Sequence, residues 1–94
     1  MLEDVKTALR LRNNAFDNEV EDLIAAARDD LRISGVSAAL VVSDTDSLIK
    51  RAIVTYCKAN FGYDNPEADR FRQSYDMLKQ HLSLAGDYHQ QTVE

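Results

Sequence analysis

Residues 65–86 constrain the fold more than any other stretch of the chain. Asn65-Pro66 opens it, Gly86 closes it, and Ala68, Phe71, Tyr75, Leu78, Leu82 and Ala85 recur between them at spacings of three and four. That period draws one apolar seam along an α-helix whose remaining positions are mostly polar. Asn65 is a favoured N-cap, Pro66 suits the first helical position, and Glu67 sits at the positive end of the helix dipole. A seam this narrow has to be covered by another helix.

Three more helices can be read upstream. The first spans residues 2–11, with Leu2, Val5 and Leu9 on one stripe, Glu3 and Asp4 in its first turn, and Asn13-Asn14 ending it. The second starts at Asp17 or Asn18 and ends at Ser34. Asn18 and Glu21 have capping-box spacing, Phe16 precedes them as a hydrophobic staple, and Gly35 stands where a left-handed C-terminal residue is wanted. Val20, Leu23, Ile24, Ala27 and Leu31 form its inner stripe, and its other face carries Asp17, Glu19, Glu21, Asp22, Asp29 and Asp30, relieved by Arg28. The third helix spans residues 47–60, capped by Asp44 or Asp46. Ile49, Ala52, Ile53, Tyr56 and Ala59 face inward, and Lys50, Arg51 and Lys58 outward. No acid lies between Ser47 and Tyr63, so this helix is the basic counterpart of the second.

Between these two helices, residues 36–43 are too short for an independent helix and too apolar for a free loop. Either the segment lies extended over the bundle or it is a surface reserved for a partner; the second is the preferred reading. The fold expected is therefore all-α: a small four-helix, bundle-like domain with a long C-terminal helix and an apolar loop between helices 2 and 3. It occupies residues 1–86, and a polar tail follows over 87–94. A chain of 94 residues is one domain at most. It buries only roughly 60–65% of its unfolded surface, so neighbours in an assembly would help to stabilise it.

Charge and chemistry narrow the function. The formal net charge is −5, with eight of the sixteen acids in the first thirty residues, which disfavours a stand-alone binder of nucleic acid. The single Cys57 forms no intrachain disulfide and no four-thiolate zinc site, and beside Tyr56 on a helix it reads as a small buried thiol. His81 and His89 straddle Gly86 and lack the spacing of a helical metal pair. Asp44-Thr45-Asp46 resembles a fragment of a calcium loop but lacks its glycine and closing glutamate, and helix capping accounts for it better. The three glycines are isolated, so no phosphate loop is available. No catalytic, cofactor-binding or metal residue is expected, and the chain is not expected to be an enzyme. With neither a long apolar run nor a leader-like start, it is expected to be made in the cytoplasm and to stay out of membranes.

Lys50, Arg51 and Lys58 admit three readings: a solvated face, weak contact with DNA phosphates, or a contact with the acidic second helix of a neighbouring copy. The last makes Asp22, Asp29, Leu40, Val41, Lys50, Arg51 and Lys58 the candidate subunit interface. Heterologous contacts of this kind close into rings when the rotation permits.

From Leu48 through Lys58-Ala-Asn-Phe-Gly-Tyr-Asp-Asn-Pro66 to Phe71, Tyr75 and Leu78, the chain resembles the head–tail connector proteins of tailed phages and prophages, often labelled possible DNA-packaging proteins. The opening Leu2-Glu-Asp-Val-Lys-Thr-Ala-Leu-Arg, the block Phe16-Asp-Asn-Glu-Val-Glu-Asp-Leu-Ile and the ending His81-Leu-Ser-Leu-Ala-Gly-Asp-Tyr match the same layout. The most specific part is the turn and helix start at Phe61, Gly62, Tyr63, Asp64, Asn65 and Pro66. The resemblance implies a helical adaptor of virion assembly at the head–tail junction, with no cofactor. About a dozen copies would ring the exit beneath the portal protein, extend the DNA channel without binding DNA specifically, and meet the next connector or a tail-completion protein. The alternative is a small monomeric or dimeric helical protein that binds or regulates a partner through the seam of its last helix.

Overall fold

The computed structural model describes residues 1–62 and 65–88. Five helices follow one another: α1 (Leu2–Leu9), α2 (Asp17–Ile33), α3 (Ala38–Val41), α4 (Ser47–Asn60) and α5 (Ala68–Leu84), with no strand among the described residues. The domain is all-α and elongated, 46 × 24 × 18 Å. α4 is its centre: it packs most extensively on α5 and then on α2 and α1. The stripes read from the sequence meet there. Val5, Val20, Ile24, Ala27, Leu31, Ile49, Ala52, Ile53 and Cys57 are buried, and α5 contributes Tyr75 and Leu82. Burial of such side chains is worth about 1.5–3 kcal/mol for each large aliphatic residue.

Helix ends depart from expectation where local polar chemistry takes over. α1 stops at Leu9, two residues early, because Arg10 adopts the left-handed conformation (φ 62°) and Leu11 N–H turns back to the Lys6 carbonyl at 2.9 Å. The expected capping box at Asn18 does not form: α2 already begins at Asp17, which leaves Asn18 and Glu21 exposed inside the helix. The turn before it sets that entry. Asn13 Oδ1 accepts the Ala15 amide, while buried Lys6 donates to Asn14 and pairs with Asp17 at 2.9 Å. Phe16 finds its partner in Phe61 at the end of α4, edge to face at 5.5 Å.

Gly35 does occupy the left-handed position (φ 105°), and the amides of Gly35 and Val36 close back onto the carbonyls of Arg32 and Leu31 at 3.0 Å each. This is the reciprocal C-terminal closure that favours glycine. Asp46, not Asp44, caps α4, accepting the Leu48 and Ile49 amides at 3.0 Å. α5 begins at Ala68, later than expected, since Pro66 and Glu67 form a preceding turn in which Asn65 Oδ1 accepts the Glu67 amide.

Residues 36–43 are neither extended nor a free loop. They contain the single turn α3, tied to the bundle by buried Val36 and Val41. Arg28 holds the turn from α2: its guanidinium donates to the Val41 and Ser43 carbonyls and pairs with Asp44 at 2.8 Å. Tyr88, which the sequence reading puts in the tail, is anchored as well. Its carbonyl accepts the Ser37 amide at 2.7 Å and its hydroxyl donates to the Asp46 carboxylate at 2.9 Å. The rest of the tail, from His89, lies outside the described residues.

Candidate interaction surface

Four groups of residues were candidates, and they meet different fates. In the apolar segment, Val41 is 3% exposed and belongs to the core, so its side chain is not available to a neighbouring subunit. Leu40 is half-buried against that core, and the apolar surface offered outward is Val42, 65% exposed.

The described residues of the 61–66 motif join α4 to α5. The Phe61 amide caps α4 by donating to the Cys57 carbonyl, and Gly62 has φ 83°, a conformation that a Cβ would strain. Asn65 Nδ2 reaches back to the Lys58 carbonyl at 2.7 Å, fastening the start of the α5 segment to the end of α4, while Pro66 lies exposed in the turn. Tyr63 and Asp64 lie outside the described residues.

The acidic side of α2 divides in two. Asp30 faces α5: it accepts the Tyr75 hydroxyl at 2.6 Å and pairs with Lys79 at 3.1 Å. Burial, then the Asp30 hydrogen bond and charge, push the Tyr75 phenol far above its ordinary range. Tyr56 stacks edge to face on Tyr75 at 5.1 Å and is raised too, by burial and then by the Asp30 charge. Asp17 is engaged by Lys6. Asp22 and Asp29 instead project opposite the core stripe, together with exposed Ala25, Ala26 and Ile33. Asp22 has no ion-pair partner among the described residues, and Asp29 reaches only the exposed Arg32 one turn on, at 3.8 Å.

The basic side of α4 divides likewise. Lys50 leans to α1 and pairs with Asp4 at 3.7 Å. Arg51 and Lys58 stand over a groove of about 630 Å³ between α4 and α5. Its apolar lining comes from Leu48 and Val54 of α4 and from Phe71, Met77 and Leu78 of α5. Leu48 is 42% and Met77 61% exposed. Lys58 Nζ lies 5.4 Å from the Phe71 ring centroid, and neither it nor Arg51 meets a carboxylate among the described residues. His81 stands at the edge of the same groove. The sequence reading found the cations and the α5 seam but missed Met77 and His81, which flank that seam. The available signal was Arg51, Val54 and Lys58 recurring along one side of a helix whose other side was already assigned to the core.

Groups with chemical potential are occupied structurally. Cys57 is buried, which pushes its thiol up to about 12 and keeps it protonated. Asp46 is held below its ordinary value, first by the Ile49 amide, with Tyr88 and Leu48 assisting against the cost of burial. No cluster of His, Cys, Asp and Glu among the described residues is arranged to hold a metal ion. No described helix is long and apolar enough to cross a membrane.

The surface thus consists of an apolar groove with basic edges and, across the molecule, a helix ridge with uncommitted acids. No curated protein and no solved structure matches the chain. The sequence pattern of the family described as phage connector protein matches residues 1–89, nearly the whole chain. With a match of that extent across all five helices, the chain belongs to the phage connector protein family.

Proposed function

We propose that this protein is a structural adaptor at the head–tail junction of a tailed phage or prophage. In this reading about a dozen copies assemble in the host cytoplasm as a ring beneath the portal protein, continue the DNA channel, and present a surface to the next connector or a tail-completion protein. The observation that carries the proposal is membership of the connector family over residues 1–89. The chemistry is consistent with an architectural role: the thiol is buried, the Asp46 carboxylate caps α4 and accepts the Tyr88 hydroxyl, and the Tyr75 hydroxyl is tied to Asp30 across two helices. DNA is expected to pass without specific binding, since the chain carries a net charge of −5 and phosphate contacts depend on clustered cations. The role requires no catalysis and no cofactor.

Native mass spectrometry across a concentration series, with and without a purified portal ring, tests the proposal. A closed oligomer of about a dozen copies, free or captured on the portal, is the expected result. A chain that stays monomeric or dimeric and is not captured would refute the adaptor role and favour a small protein-binding module using the α4–α5 groove.

A further inference from the structure

We propose that the α4–α5 groove of one copy receives the outward ridge of α2 from a second copy, antiparallel to α4, with Arg51 opposite Asp29, Lys58 opposite Asp22 and Leu48 opposite Ile33. The inference deepens the ring reading and rests on it.

Spacing is the first argument. Arg51 and Lys58 are seven residues apart on α4, and Asp22 and Asp29 are seven apart on α2. At 1.5 Å per residue each pair spans roughly 10.5 Å, two helical turns, so both charges can be met at once. Between the cations the groove offers Val54 and Thr55, and between the acids the ridge offers Ala25 and Ala26. The two alanines let the helix backbones approach, and the Thr55 hydroxyl that would be covered already donates to the Arg51 carbonyl at 2.7 Å.

Direction follows from the apolar residues just outside these charges. Ile33 lies four residues beyond Asp29 and is 75% exposed; Leu48 lies three before Arg51 and is 42% exposed. Antiparallel docking brings them together. Parallel docking carries Ile33 past Lys58 to the level of Gly62, which has no side chain to meet it, while the ring of the neighbouring Phe61 is already engaged by Phe16.

Availability is the third argument. On α4 the groove residues 51, 54, 55 and 58 lie on the side away from Ile49, Ile53 and Cys57, and on α2 the ridge is opposite Val20, Ile24, Ala27 and Leu31. Both faces are open on the same molecule, and they are unlike. A contact between two unlike faces is heterologous and propagates from copy to copy until the rotation closes.

Charge reversal with mixing tests this. Asp22→Lys/Asp29→Lys gives a chain with two basic faces, and Arg51→Glu/Lys58→Glu one with two acidic faces. At low ionic strength each alone should lose self-association by roughly tenfold or more, because attraction becomes repulsion at both positions. An equimolar mixture should recover it, since the reversed ridge of one variant fits the reversed groove of the other, and the unreversed groove of the first fits the unreversed ridge of the second. Circular dichroism checks that the variants are folded. Should Lys58→Glu disturb its packing on Phe71, Arg51→Glu mixed with Asp29→Lys tests the register with one pair. Non-reducing electrophoresis of mixed Ile33→Cys and Leu48→Cys chains should then show a cross-linked dimer exceeding that from Ile33→Cys with Lys58→Cys, the groove position nearest Ile33 in parallel docking. Folded variants that associate like the parent, or a mixture no better than its components, would overturn the proposal. So would a parent chain that never self-associates, or an Arg51 reversal that abolishes portal capture alone. Capture of the parent chain by the portal, measured separately, keeps the adaptor reading independent of this result.

Discussion

Arg28→Ala is the sharpest test of what holds the apolar segment to the domain. The Arg28 side chain is 18% exposed and spans three acceptors: the Val41 carbonyl, the Ser43 carbonyl and the Asp44 carboxylate. The two carbonyls are part-buried, so a charged donor to each contributes about 1 kcal/mol after partial rehydration is allowed for. Asp44 is 63% exposed, and its pair adds at most about 0.5 kcal/mol. Lost packing of the aliphatic stem brings the total to about 2–3 kcal/mol. For a domain of this size that corresponds to a fall in melting temperature of roughly 10–20 °C and a clear drop in urea midpoint. Arg28→Lys should recover less than half, because an ammonium cannot fork across three acceptors. Hydrogen exchange localises the effect: the Leu40 and Val41 amides, which donate to Ser37, should exchange faster than the amides of α4. A stability within 0.5 kcal/mol of the parent, with no local change in exchange, would show that burial of Val36 and Val41 suffices and that the clamp is incidental.

Three further outcomes follow from the polar ties. Tyr75→Phe should cost about 1–2 kcal/mol in urea unfolding, since it removes a hydroxyl buried against Asp30 while leaving Asp30 its pair with Lys79. Stability should fall at both pH extremes. The raised phenol of Tyr75 and thiol of Cys57 favour the folded state below their ordinary values of 10.0 and 9.0, and this contribution is lost as pH rises above them, so Tyr75→Phe should flatten the alkaline limb. The lowered Asp46 contributes above its ordinary 3.8 and is lost as pH falls through its folded value; a pH series of thermal melts of the parent, Tyr75→Phe and Asp46→Ala reads both limbs. Arg10→Gly should stabilise by up to about 1 kcal/mol in the same melts, because Arg10 holds a left-handed conformation that glycine adopts without strain.

The helices were legible because burial imposes a period on them: the stripes of α2 and α4 face the core, while the α5 stripe divides, with Tyr75 and Leu82 buried, Phe71 and Leu78 lining the groove and Ala85 exposed beyond the helix end. Gly35 was legible for a related reason, since capping depends on residues within a few positions; the same argument narrowed the next cap to Asp44 or Asp46, and the structure decides for Asp46. The connector family was legible from the 58–66 motif and the layout around it. What did not show was any interaction whose partners are far apart in the chain. Asp30 reads as one more acid on a solvated face, yet it bonds a tyrosine 45 residues away. Arg28 reads as a lone relief of negative charge, yet its acceptors lie 13 and more residues on. Lys6 in α1 gives no sign that it is buried between Asn14 and Asp17. α3 falls below the length at which periodicity can be read, and a single turn forms only because tertiary contacts stabilise it. The capping box at Asn18 failed for the same reason, as the Lys6 pair and the Asn13 turn set the entry at Asp17, the earlier of the two starts that the sequence allows.

These long-range ties explain how one helix can serve two surfaces. The inner edge of α2 places Asp30 against Tyr75 and Lys79, and so fixes α5 beside α4; without α5 in that position the groove would have only one wall. The outer edge of the same helix carries Asp22 and Asp29, which the monomer leaves largely uncommitted. A small domain has little core to spare for rigidity, yet a surface that must match a partner in register needs its walls held in place. Committing Asp17 and Asp30 of α2 to the fold and keeping Asp22 and Asp29 for the surface meets both demands within a single helix. In the proposed contact, any shift of α2 would move a subunit's own groove and the ridge it offers to its neighbour together.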